Sequence, residues 1–390
     1  MPDCPVCLSS STRTFFEMRD VPVREGYLAR DRNEAINCDM GDIVLCFCSS
    51  CGHIWNSEFD PDKLKLDTQY DVSLFHSASY RAYIDDTIER LKSRYDIAGK
   101  AALEIACGKG DFLRALVAHG SSHAYGFDPT FAESSLAVAD RQRITAHRAF
   151  YDESYRSLRI ALVTCRSALQ YFSRPRPFLE SIHRTLADQP DTVLYFEVPN
   201  AEETFTQGIV WNVAYELGCF FSPASLSRLF RECGFDVLDV LSGLGGSQLE
   251  IEARHSGSHL ATRFESLASI EAMSAKVDSF SRVREARVRD WTARLAREAA
   301  AGRTVALWGA GHRAISFLCS IPDTSAIKFA VDINPARQGS YLPGVGLPVV
   351  APEQLKSAPA DLVVATNPNY AREIRAQLAA LNVSCEFETL

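Results

Sequence analysis

LEIACGKGDF, residues 103–112, is an apolar run that breaks into a glycine-rich turn and restarts as the helical pattern DFLRALVAHG. A short apolar run bounded by glycines reads as a buried strand. Strand, glycine turn and helix together let a ligand reach backbone N–H groups at a helix start. An acid inside the strand end, Glu104, and a second at the end of the next strand AYGFD, Asp128, bracket the turn.

Outward from this unit the strand–helix alternation continues. YRAYIDDTIERLKSRYD (80–96) carries helical apolar spacing, IALVTC (160–165) and TVLYFEVP (192–199) read as strands, and PFLESIHRTL lies between them as a helix. The pattern predicts an α/β, doubly wound, Rossmann-like sheet with its ligand beyond the carboxyl ends of the strands. A long polar helix, roughly residues 262–300, leads to a second unit of the same kind. There TVALWGAGHRAISFL is strand, glycine turn and helix, and FAVDINP is the next strand. Glu104 to Asp128 spans 24 residues and Gly309 to Asp332 spans 23.

Pattern alone leaves the ligands open. Gly309 to Ala314 fits the dinucleotide fingerprint, with Asp332 placed for a ribose hydroxyl, and so suits a nicotinamide cofactor. The first turn, Ala106 to Gly110, suits S-adenosylmethionine, its amides meeting the amino-acid carboxylate and Asp128 gripping the ribose.

Composition narrows the class. The 390 residues call for two or three cores. Net charge is −8 with the basic residues scattered, which argues against nucleic acid or an anionic membrane as partner. The apolar runs are far shorter than the roughly 20 residues of a membrane helix. MPDCPVC lacks the basic and apolar parts of a signal peptide, so a cytoplasmic protein is expected. Cys4, Cys7, Cys48 and Cys51 form two C-x-x-C pairs among twelve cysteines. Two such knuckles can present four sulfurs to one ion, a closed structural zinc site. Cys46 and His53 are near enough in sequence to compete as ligands or to pack beside it.

The order zinc knuckle, glycine turn, then WGAGHRAISFL and VDINPARQGSYLPGVGLPVVAPEQL resembles the three-part S-adenosylmethionine-dependent C-methyltransferases. That family acts on nucleotide-linked keto-deoxysugars and related natural-product intermediates. The resemblance runs over nearly the whole chain. It includes YDVSLFHSASY (70–80), GFDP (126–129), FEVPN (196–200), YELGCFFSPASLSRLFRECGF (215–235), GGSQLEIEA (245–253) and RQGSYLPG (337–344). It implies a zinc lobe over 1–72, a methyltransferase domain over 73–261, and a linker helix with a substrate-side Rossmann-like domain over 262–390. It further implies S-adenosylmethionine at Glu104, Gly108, Gly110 and Asp128, with Tyr70 contributing. The partner is then a small molecule, nucleotide-linked ones included, and the C-terminal turn holds no dinucleotide.

Two departures bear on chemistry. The family places histidines where this chain has Tyr171 and Leu217. Carbon methylation beside a ketone needs a base and a donor to the enolate oxygen. The groups left for those roles are Glu216, Tyr215, Tyr171, Glu197 and Tyr70, Glu216 first among them; His76 is the only histidine expected in a segment lining the cleft. Lost bases also fit an acceptor that is already nucleophilic, or a related fold that binds the cofactor and catalyses a different reaction or none. A nicotinamide oxidoreductase ranks third. Ala106 stands where the family has glycine, tolerable if its φ stays negative.

Overall fold

The computed structural model describes residues 2–24, 26–64, 71, 73–255 and 267–390. Three sheets organise them. The first comprises β1 Thr12–Pro22, β2 Met40–Cys48, β3 Ile54–Asn56 and β9 Cys219–Phe220, hydrogen-bonded in that order. The last of these strands comes from the middle of the chain: Ile54 pairs with Phe220 and Trp55 with Cys219. The knuckle lobe is thereby stitched to the central unit by backbone hydrogen bonds.

The central sheet has seven strands. They are β4 Ala102–Ile105, β5 Ala124–Phe127, β6 Ile144–His147, β7 Leu162–Arg166, β8 Val193–Pro199, β10 Phe235–Gly243 and β11 Gln248–His255. Their order is β10-β11-β8-β7-β4-β5-β6. Strands β6, β5, β4, β7 and β8 run parallel, and β11 and β10 close the edge antiparallel. The order reverses between β4 and β7, so the crevice opens at the carboxyl end of β4, where the glycine turn lies. All four residues of β4 are buried, as a strand covered on both faces requires. Gly126 on β5 lets the glycine turn and helix Asp111–Ala118 approach, because a Cβ there would stand 2.7 Å from the Cys107 sulfur and 2.6 Å from Leu113.

The third sheet repeats the scheme. It comprises β12 Val305–Trp308, β13 Ile327–Val331, β14 Tyr341–Leu342, β15 Leu347–Val350, β16 Leu362–Ala365 and β17 Glu386–Thr389. Their order is β14-β15-β13-β12-β16-β17. It reverses at β12, so the second glycine turn sits at an equivalent crevice.

The helix Leu267–Ala300 joins the sheets. Its sequence is polar, yet Ile270, Met273, Val277, Phe280, Trp291 and Leu295 follow helical spacing and are buried. They belong to one apolar cluster that also holds Phe16 and Phe47 of the lobe, Trp211 of the middle segment and Phe317 of the C-terminal unit. This shared core holds the two crevices face to face.

Backbone geometry departs from expectation at Ala106. Its φ is +60°, in the left-handed region. The negative φ that would make alanine harmless there is not adopted, because Ala106 and Cys107 both donate their amides to the Phe127 carbonyl, at 2.7 and 3.3 Å. That curl turns the chain back over β5 and opens the turn.

Candidate functional site

Both glycine turns line one cavity of about 900 Å³. At its first end Gly108 and Gly110 have φ of +53° and +80°, and no atom lies within 4 Å of where a Gly108 side chain would stand. The Gly108 amide donates to Asp128 Oδ2 at 2.8 Å, and Thr130 donates its amide and hydroxyl to Oδ1 at 2.6 Å each. Asp128 is thus held at the rim with lone-pair capacity left on Oδ2.

Glu104 sits below the turn, 3% exposed, and its Oε2 has no hydrogen-bond partner among the described residues. Arg166, last residue of β7, faces it with Nη1 at 3.6 Å from Oε1. The Arg166 guanidinium is buried, stacked 4.1 Å from the Phe112 ring centroid and bonded to the Tyr80 hydroxyl. It also reaches Glu197, at 3.8 Å. One guanidinium therefore serves two carboxylates. Burial, only partly offset by Arg166 and reinforced by Asp111, Asp128 and Glu197, pushes the Glu104 carboxyl up to about 8. A site short of one positive charge, with an orphaned buried oxygen, suits a ligand carrying an ammonium group.

Segment 73–77 forms a wall of the cavity. Ser73 donates to Asp111 Oδ2 at 2.7 Å, tying it to the helix that starts at the glycine turn. His76 lines the cavity and is exposed. It is not the only histidine there: His312, from the second turn, lines the same space, held neutral by burial and by Arg313 and Arg337, which push it down to about 3. The sequence placed His312 next to a glycine turn, but only the facing of the two sheets brings it to this cavity.

The expected catalytic residues divide. Glu216 is buried, lines the cavity, and accepts the Gly26 amide at 2.8 Å. Tyr171 also lines it. Tyr215 is fully buried and is absent from the lining; its hydroxyl accepts the Asp60 amide at 3.1 Å and donates to the Glu58 carbonyl at 3.3 Å. The turn at Tyr215–Glu216 directs Tyr215 into the lobe interface, while Glu216 and Leu217 both line the cavity. Tyr70 lies outside the described residues.

At the second turn Asp332 is already engaged. It accepts the Ala310 amide at 3.0 Å and the Asn334 amide at 2.9 Å, and Arg337 Nε lies 3.5 Å away. Arg337 also crosses the turn to the Ala310 carbonyl, at 2.6 Å. A ribose hydroxyl would meet the Arg337 cation beside Asp332, whereas Asp128 forms no ion pair among the described residues. The dinucleotide reading of Gly309–Ala314 is therefore disfavoured by local charge and not by the glycine spacing.

Sequence reasoning passed over Arg166, Asn212, Arg313 and Tyr370, which all line the cavity. Arg166 had a signal: a charge closing an otherwise apolar strand at the switch point. Arg313 lies within the Gly309–Ala314 fingerprint, while Asn212 and Tyr370 sit in stretches whose periodicity gives no hint of a site.

In the lobe, the sulfurs of Cys4, Cys7, Cys48 and Cys51 all lie within 4.8 Å of one another. Cys4–Cys51 and Cys7–Cys48 are each 3.6 Å apart. A tetrahedral ion with bonds of about 2.3 Å needs sulfurs about 3.8 Å apart, so the set fits a zinc-sized ion. Gly52 has φ +71°, as the second knuckle needs. His53 stacks on Trp55, centroids 5.9 Å apart, and takes no part in the cluster.

A model of the methyltransferase domain matches residues 76–240, and a model of the C-methyltransferase C-terminal domain matches 246–385. C-methyltransferase NovU of Streptomyces niveus is 30% identical over 195 residues, 47% of this chain and 46% of that protein. The chain thus matches about half the length of that relative. A ubiquinone biosynthesis O-methyltransferase of Neisseria meningitidis serogroup C (strain 053442) is 22% identical over 39% of this chain and 71% of its own. Among solved structures, N,N-8-amino-8-demethyl-D-riboflavin dimethyltransferase (RosA) of Streptomyces davawensis matches with TM-score 0.38 and 19% identity, over 45% of this chain and 55% of that one. With both domain models in sequence over most of its length and the glycine turns set at facing crevices, the chain is a divergent member of the S-adenosylmethionine-dependent C-methyltransferase family.

Proposed function

We propose that the protein transfers a methyl group from S-adenosylmethionine to a carbon of a small natural-product intermediate, nucleotide-linked sugars included. The observation that carries this reading is the orphaned, buried Glu104 carboxyl beneath an open glycine turn. Glu104 and the Gly108–Gly110 amides would hold the amino-acid end of the cofactor, and Asp128 its ribose. When bound, the cofactor supplies an electrophilic methyl on a sulfonium sulfur. The remaining work falls to the chain: excluding water, orienting the acceptor in line, and holding a proton. Glu216 is the carboxylate best placed to take an acceptor proton, and Tyr171 the phenol best placed to donate to an oxyanion. With no histidine at 171 or 217, an acceptor that is already an enol or enolate fits the cavity best, because positioning then suffices. Zinc, in this reading, is structural: four thiolates close its shell and bind the first sheet together. The units 1–72, 73–261 and 262–390 serve as lobe, cofactor domain and acceptor-side domain.

Calorimetric titration with S-adenosylmethionine, S-adenosylhomocysteine, NAD and NADP tests the ligand. Binding of the first two only is expected, and saturable binding of NAD would overturn the assignment. Mass spectrometry of small-molecule extracts incubated with methyl-labelled cofactor separates transfer from binding alone. A cofactor that binds without any labelled product would favour the reading of a retained fold without methyl transfer.

A further inference from the structure

The side of the cavity formed by the second glycine turn holds hydrogen-bond donors that nothing among the described residues satisfies. Helix His312–Ser320 begins there with Gly311 as its cap, and no atom lies within 4 Å of where a Gly311 side chain would be. Gly311 lines the cavity, so the positive end of the helix lies beside that open space. The second residue of that helix, Arg313, has a side chain only 8% exposed. Its Nη2 donates to Glu203 Oε2 at 2.8 Å, while Nη1 is buried with no partner among the described residues. The Tyr370 hydroxyl is likewise buried without a partner among them. Both residues line the cavity.

The carboxylates of this region are all engaged. Glu203 takes Arg313 and, at 3.0 Å, the Asn212 amide nitrogen. Asp332 takes the two backbone amides described above. Glu373 takes the start of helix Ala78–Arg94 through Ser77, Ala78 and Ser79. Donors are left over and carboxylates are not. A buried guanidinium with an idle nitrogen is stabilised when an oxygen anion completes it, since charge-assisted bonds are the strong ones. Burial already pulls the Arg313 guanidinium down, against the opposing pull of Glu203, which marks it as under-compensated. Burial and the nearby Glu373 and Glu197, against the pull of Arg313, push the Tyr370 phenol up, so it keeps its proton and can donate.

We propose that the start of helix His312–Ser320, with Arg313 Nη1 and the Tyr370 hydroxyl, is a subsite for a single oxyanion, a carboxylate or phosphate carried by the acceptor. It rests on the reading that this cavity takes cofactor and acceptor together. The Arg337 cation beside Asp332 disfavours a ribose at this turn, so the group is assigned to the acceptor and not to a dinucleotide. The subsite would anchor the acceptor by its charged end, leaving its reacting atom toward the first turn.

The test uses the full chain. Inorganic phosphate and, separately, succinate are titrated calorimetrically at constant ionic strength, with and without saturating S-adenosylhomocysteine. At least one is expected to bind saturably, and Arg313→Lys and Tyr370→Phe are each expected to weaken it roughly tenfold. Arg313→Lys keeps a charge facing Glu203, and Tyr370→Phe leaves the Arg313–Glu203 pair intact, so neither readout depends on a misfolded chain. Preference for phosphate over succinate identifies a phosphorylated acceptor, and the reverse a carboxylic acid. The proposal falls if neither anion binds the wild type saturably, or if both variants bind as tightly as the wild type. Loss of S-adenosylhomocysteine binding with anion binding retained would strike the cofactor assignment alone.

Discussion

Glu373, on the third sheet's side of the molecule, caps a helix of the central unit that begins beside Ser77. The Ser77 hydroxyl donates to its carboxylate at 2.6 Å, and the Ala78 and Ser79 amides add bonds of 3.1 and 3.2 Å. The other end of the same segment is held by Asn334 and Arg337, which bond Asp71 at 3.1 and 2.8 Å. The wall beside the first glycine turn is thus positioned by the C-terminal unit. Glu373→Ala should cost about 0.5–2 kcal/mol, the range for loss of a helix cap. It should also weaken S-adenosylmethionine binding several-fold and speed amide exchange over residues 73–80. Unchanged exchange there would show that the cap does not order the wall.

The same carboxylate sets a pH dependence. Burial disfavours its charge, but the bonds from Ser77, Ser79 and Ala78 prevail and hold it below the ordinary glutamate range. A depressed folded-state value means that this stabilisation is present above the unfolded value and is lost as pH falls through the folded one. Stability of the wild type should therefore drop more steeply on acidification below about pH 4 than that of Glu373→Gln, as read by urea unfolding.

Glu104 behaves in the opposite sense. Its folded-state carboxyl is raised to about 8, so the folded chain without ligand takes up a proton relative to the unfolded chain between the unfolded value and 8. Stability without ligand should fall as pH rises across that window. An ammonium ligand favours the carboxylate, so S-adenosylmethionine affinity should rise toward pH 8. Binding at about pH 7 should release a proton, measurable by calorimetry in buffers of different ionisation enthalpy. Glu104→Gln should abolish that release and weaken binding by roughly ten- to a hundredfold.

Ala106 is strained at φ +60°. The left-handed region costs a non-glycine residue about 1–2 kcal/mol, and glycine gives back about 0.4–1 kcal/mol through the unfolded chain. Ala106→Gly should therefore stabilise by about 0.5–1 kcal/mol in denaturant titration. Destabilisation would mean that the alanine methyl contributes packing that outweighs the strain.

The two neighbours Tyr215 and Glu216 should separate cleanly. Tyr215→Phe removes bonds to Asp60 and Glu58 and should cost about 1 kcal/mol without changing methyl transfer. Glu216→Gln can still accept the Gly26 amide, so it should fold normally and slow methyl transfer at unchanged cofactor affinity, followed as labelled product per minute. Metal removal should act elsewhere again. A chelator, or Cys51→Ser, should release one zinc per chain by elemental analysis and unfold the first sheet before the others.

Much of the site was legible because its signals are local. A turn that needs positive φ advertises itself as Gly108 and Gly110, paired knuckles as C-x-x-C, and a buried strand as an apolar run. Arg166 was legible only in retrospect, as a lone charge at a strand end. The sequence ranks Glu216 ahead of Tyr215 on acidity alone; which of the two faces the cavity is not legible, since a turn carries no periodicity that sets direction.

The sequence alone determined the alternation of strands, turns and helices, the four-cysteine set, and both glycine crevices. Those follow from backbone sterics and side-chain periodicity over a few residues. Tertiary structure alone decided that Arg337 lies beside Asp332, that Ser77 and Glu373 meet across 296 positions, and that Arg313 and Glu203 meet across 110. Such pairings depend on how separate sheets dock through a shared apolar core, and apolar packing has no directional code that a local stretch of sequence can carry.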